Sequence, residues 1–125
     1  MRTPLGRVRA HGASGQGTGH FIGQRVSAIA LVVLGLWFLA AVMLEMHNPG
    51  FVSAIDFLSA PVNAVGVILL VVAAFYHMRL GMQVIVEDYI AKPSTKAVLL
   101  LLNTLGLIAL GAGAVFAVLI VNFGA

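Results

Sequence analysis

The chain has 125 residues, 61% of them hydrophobic and only 9% charged, with a formal net charge of +3. A water-soluble domain of this size cannot cover its surface with so few charges, so an all-α integral membrane protein is expected. The absence of cysteine excludes disulfides and thiolate-held metal clusters. Of the seven basic residues, Arg2, Arg7, Arg9, Lys92 and Lys96 lie outside the apolar runs. They form no basic stripe interleaved with aromatics, so they are a topology signal and not a nucleic-acid footprint.

In chain order, residues 1–20 come first. Gly6, Gly12, Gly15, Gly17 and Gly19, with Pro4 and three arginines, describe a flexible basic arm. A signal peptide is rejected, because the apolar run that follows is too long for one and lacks a small-x-small cleavage site. Residues 21–125 then form a transmembrane domain with three spans, at about 21–46, 59–88 and 97–121, each long enough for the ~20 residues a bilayer core requires. Arg25 opens the first span between Gln24 and Ser27. Trp37 lies too deep for an interfacial anchor, so it is expected to pack against another helix.

The segment 45–58 reads as a short connection around the Asn48-Pro49-Gly50 turn, and His47 as a solvated loop residue. The second span starts as a plain apolar run and ends in His77, Arg79, Gln83, Glu87, Asp88 and Tyr89. A tight loop follows, in which Pro93 interrupts the helix and Ser94 is available as the next cap. The third span is apolar except for Asn103 and Thr104, with Gly106, Gly111 and Gly113 suited to close helix packing. Lys and Arg are concentrated in the amino-terminal arm and the 91–96 loop, which places both on the inner side of the membrane. The 45–58 connection and the carboxyl terminus then face outward.

Polar groups inside a bilayer are costly, which makes the stretch 75–89 the candidate site. His77 and Gly81 share a helical stripe with Leu80, Val84 and Asp88, and His77 lies ~18 Å along the helix from Tyr89. Two roles suit a lone membrane histidine: an axial ligand to haem iron, or a hydrogen bond to a neighbouring helix. Gly81 one turn on, leaving room at the backbone, and Arg25 and Arg79 as partners for propionates favour haem. Any such haem is held non-covalently. Its second ligand comes from another chain, because this one has no second histidine at that depth. Arg79 needs a partner among Asp88, Gln83 or a cofactor carboxylate. Tyr89 is either an interfacial anchor or a phenol that hydrogen-bonds a quinone carbonyl, with Asp88 beside it influencing proton delivery.

The pattern H-x3-G-x6-D-Y from His77 to Tyr89, after a first span opened by Arg25-Val26-Ser27-Ala28, resembles the hydrophobic membrane anchor subunits of succinate dehydrogenase. The three-span layout extends that resemblance over essentially the whole chain. The Ser-Pro-His element and His-Arg pair of the sister cytochrome b subunits are missing. The resemblance implies half of a haem-binding helical bundle, with His77 as axial ligand of haem b and Arg25 near its propionates. Tyr89 and Asp88 would contact ubiquinone. The partners would be the cytochrome b sister anchor subunit, the iron–sulfur subunit and the flavoprotein subunit, in a lipid bilayer and without nucleic acid. The chain would be a non-autonomous subunit of the enzyme with no catalytic residue of its own. A bacterial inner membrane, with the amino terminus cytoplasmic and the carboxyl terminus periplasmic, fits better than the mitochondrial inner membrane. The competing readings are a fumarate reductase anchor and a cofactor-free structural membrane protein.

Overall fold

The computed structural model describes residues 3–5 and 16–124. Four helices account for nearly all of the second range: α1 (Gln16–Glu45), α2 (Phe51–Ser59), α3 (Pro61–Tyr89) and α4 (Pro93–Gly124). Three of these are long and apolar enough to cross a membrane, at Gly17–Glu45, Pro61–Tyr89 and Pro93–Gly124. The three expected spans are therefore present. At 29, 29 and 32 residues they exceed the ~20 that a bilayer core requires, so they tilt or project beyond it.

Proline sets the helix boundaries. The residue before a proline is disfavoured in the helical region, and Ala60, ahead of Pro61, is extended at φ −72°, ψ 126°. That one residue separates α2 from α3, with Pro61 at the start of α3, where its missing N–H costs nothing. Pro93 opens α4 in the same way, and the first helical bond there runs from Lys96 N–H to Lys92 O at 2.9 Å. Ser94 therefore lies inside the first turn of α4 and is not its cap.

Two further expectations are revised. Part of the 45–58 connection is helical, because Phe51–Ser59 has apolar residues at helical spacing. That stripe buries Phe57, whose ring meets Phe38 of α1 edge-on at 6.1 Å between centroids. At the amino end, Gln16 to His20 belong to α1 and not to the arm. The rest of the expected flexible arm, apart from residues 3–5, lies outside the described residues, as do Arg2, Arg7 and Arg9.

α3 is the centre of the bundle: α1, α2 and α4 all pack against it. Lipid is as apolar as leucine, so helices in a bilayer associate through close packing and interhelical hydrogen bonds instead of hydrophobic burial. Both are visible. The Trp37 ring of α1 lies directly against the backbone of Gly66 in α3, which meets the expectation that this tryptophan packs on a helix. Asn63 near the start of α3 donates to the Glu45 carboxylate at the end of α1. Asn103 of α4 donates to Arg79 O of α3 at 3.1 Å. Asn122 near the end of α4 donates to Leu58 O and Ser59 O at 3.1 and 3.0 Å, which satisfies carbonyls left open where α2 ends.

A Cβ at position 66 would collide with the Trp37 ring. Gly66→Ala is therefore expected to cost about 1–3 kcal/mol through overpacking. It should lower the thermal midpoint of the detergent-solubilised assembly, and adding Trp37→Phe should recover part of the loss.

Candidate functional site

The site lies where the amino-terminal half of α1 crosses α3. Positions 20, 24 and 27 follow one another at helical spacing on α1, and all three carry buried polar atoms or a buried polar side chain. Ser27 is only 5% exposed. Its hydroxyl lies 3.1 Å from the carbonyl oxygen of Gln24 and 3.0 Å from Nδ1 of His77 on α3. His77 is half-buried, and among the described residues no hydrogen bond involves its Nε2. His20 Nε2 and Gln24 Oε1 are enclosed without a hydrogen-bond partner among the described residues.

The second of the two roles open to His77, a bond to a neighbouring helix, is thus observed. It does not exclude the first, because an imidazole has two nitrogens and Ser27 engages only Nδ1. A nitrogen left free on a half-buried, tethered ring in mid-helix fits an axial haem ligand. Among the described residues no three His, Asp or Glu side chains converge.

Gly81, one turn after His77, does leave room beside its backbone. Gln24 uses that room, with its Nε2 3.8 Å from where a Cβ would stand. Arg25 is two residues from Ser27, about 160° round α1 from the face that meets His77. Its guanidinium lies over the Phe21 ring at 4.9 Å, and the residue is exposed. Arg79 stacks on Tyr76 at 5.9 Å. Neither Gln83 nor Asp88 is its partner: Gln83 donates to Glu87 at 3.0 Å, and no ion pair joins Arg79 to a carboxylate among the described residues. Asp88 and Tyr89 end α3, both exposed, with Tyr89 82% accessible. The structure therefore brings Ser27, Gln24, His77 and Gly81 together. Arg25 lies on another face, and Asp88 and Tyr89 lie further along the same helix.

A cavity of about 570 Å³ also lies between α1 and α3, and its lining includes Ile22, Val26, Ser27, Leu69, Val72 and Tyr76. His77 does not line it. Its walls are almost entirely apolar, so it offers shape without chemistry, and the tethered imidazole is the better guide to function. Sequence reasoning passes over Ser27 and Asn63 as background. Each is a buried polar residue within a span, which is the signal that singles them out.

These features define a multi-pass membrane protein with one tethered imidazole within α3 and polar residues at the carboxyl end of that helix. Residues 1–121 match the family described as succinate dehydrogenase/fumarate reductase transmembrane subunit. The chain is 31% identical over 91 residues to the succinate dehydrogenase hydrophobic membrane anchor subunit of Rickettsia bellii (strain RML369-C), covering 73% of this chain and 72% of that one. It is 29% identical, with the same coverage, to the subunit of that name from Rickettsia conorii (strain ATCC VR-613 / Malish 7). The subunit of that name from Rickettsia felis (strain ATCC VR-1525 / URRWXCal2) is 30% identical over 63% of this chain and 65% of its own length. The chain belongs to the succinate dehydrogenase/fumarate reductase transmembrane subunit family. Its role in that enzyme is that of a non-autonomous membrane anchor.

Because a Cβ at position 81 would meet Gln24 only at ordinary contact distance, Gly81→Ala should assemble with near wild-type thermal stability. Gly81→Leu should displace Gln24 and lower the melting midpoint of the complex by the cost of overpacking, about 1–3 kcal/mol.

Proposed function

We propose that this chain anchors a succinate:quinone oxidoreductase, with His77 as one axial ligand of a haem b and the Asp88–Tyr89 end of α3 as part of the ubiquinone pocket. The observation that carries this reading is the state of His77. Its ring is tied at Nδ1 to Ser27, and its Nε2 has no partner among the described residues. The second axial ligand would come from a cytochrome b sister subunit, and electrons would arrive from an iron–sulfur subunit supplied in turn by a flavoprotein. When bound, haem b supplies a one-electron carrier beside the quinone. The part played by this chain is then positional. α3 runs unbroken from Pro61 to Tyr89, so it holds His77 and Tyr89 at a fixed separation of ~18 Å.

Tyr89 would donate its phenol proton in a hydrogen bond to a quinone carbonyl. Asp88 beside it would relay protons from the inner aqueous face, since quinone reduction consumes them. Both side chains are exposed in the isolated subunit, so partner chains would complete the pocket. Arg25 is at the inner end of α1 and makes no ion pair among the described residues. We assign it to a haem propionate at the inner rim. Gly81 would serve by admitting Gln24 to the His77 face. The positive charges at Lys92 and Lys96 support an orientation with this end on the cytoplasmic side and the carboxyl terminus on the periplasmic side of what we take to be a bacterial inner membrane.

A reduced-minus-oxidised absorption spectrum of the purified complex tests the haem role. The wild type should show a b-type signal, and His77→Ala should alter or abolish it. Absence of that signal from the intact wild-type complex removes haem from the reading. For the quinone role, Tyr89→Phe should lower succinate–quinone turnover roughly five- to tenfold, the value of about one hydrogen bond, while succinate oxidation with an artificial acceptor is retained.

A further inference from the structure

A serine hydroxyl carries one proton, and the two bonds at Ser27 account for where it goes. The carbonyl oxygen of Gln24, 3.1 Å away, can only accept, so the Ser27 hydroxyl donates to it. The second bond, 3.0 Å to His77 Nδ1, then has no proton available from Ser27. With the Ser27 proton on Gln24 O, Nδ1 is the donor and the serine oxygen accepts through a lone pair. A neutral imidazole protonated at Nδ1 has its own lone pair on Nε2, the nitrogen without a partner among the described residues. Burial reinforces the arrangement: Ser27 is 5% exposed, so water does not compete for its hydroxyl.

We propose that Ser27 is a positioning residue. It fixes His77 in the Nδ1–H tautomer, orients the ring, and so presents Nε2 as the metal-binding lone pair. The identity of the metal as haem iron rests on the haem role proposed above. The proposed tautomer rests on the two Ser27 bonds and not on the haem role. Partners of this kind raise the basicity of a ligating histidine, and losing one typically lowers metal affinity about 10–100-fold. A neutral hydroxyl acceptor belongs at the lower end of that range.

The test compares purified complexes carrying wild-type Ser27, Ser27→Ala and Ser27→Thr. The readouts are haem per flavin, the electron paramagnetic resonance g-values of the ferric haem, and its midpoint potential by spectroelectrochemical titration. Ser27→Ala should weaken haem retention about tenfold. It should also move the g-values and raise the midpoint potential, because an Nδ1–H without an acceptor makes a less basic ligand that stabilises the ferric state less. Ser27→Thr keeps the hydroxyl and should stay close to wild type. If the Ser27→Ala complex does not assemble, Ser27→Cys keeps the size while supplying a poor acceptor, and the same shifts are expected of it. Unchanged g-values, potential and haem content in the alanine or cysteine variant, beside a haem-loaded wild type, would overturn this inference alone. A wild-type complex without a b-type signal would overturn it together with the haem reading.

Discussion

In this bundle every helix depends on α3. α1, α2 and α4 all pack on it, and in lipid that packing cannot draw on the hydrophobic effect. Contact is made instead where side chains are missing or polar. Trp37 seats on bare backbone at Gly66, and Asn63, Asn103 and Ser27 each place one hydrogen bond across a seam with α3. Much of the described surface is apolar and exposed, with Leu36, Val62, Leu110 and many like them facing outward. Such a surface is complete only against lipid and neighbouring subunits.

The same constraint explains why the chemistry is sparse. A polar group at mid-helix needs a partner, so the few present are used in packing or are candidates for function. His77 belongs to both groups because imidazole has two ends. One nitrogen helps hold α1 to α3, and the other has no hydrogen-bond partner among the described residues. The packing bond and the proposed ligand role therefore fall on one side chain, beside a hydroxyl that also donates to Gln24 O.

The three spans are readable in the sequence because uncharged apolar runs of about 20 residues are rare outside membrane helices. The short helix Phe51–Ser59 is not, since the Asn48-Pro49-Gly50 turn dominates its neighbourhood and its apolar stripe is short. Pro93 reads as a breaker but is also a helix start, a distinction that depends on which side of the proline the helix lies. At the site, His77 stands out through its depth alone. Ser27 does not, because its partner lies 50 residues away and helical periodicity carries no information across that distance. The room beside Gly81 is legible, but its use by Gln24 is not, as nothing in α3 indicates which helix crosses there.

That separation of 50 residues also bears on biosynthesis. α1 precedes α3 in the chain, so the turns around Ser27 are synthesised before His77 is. A serine in that position would ordinarily spend the interval with an unsatisfied hydroxyl. Ser27 avoids this by donating to Gln24 O within its own helix, a bond that needs no other element. When α3 inserts, it meets a hydroxyl whose donor is already occupied and whose lone pairs are open. With His77 in the proposed tautomer, the order of synthesis and the direction of the hydrogen bond match: the helix made first would offer an acceptor to the imidazole made later.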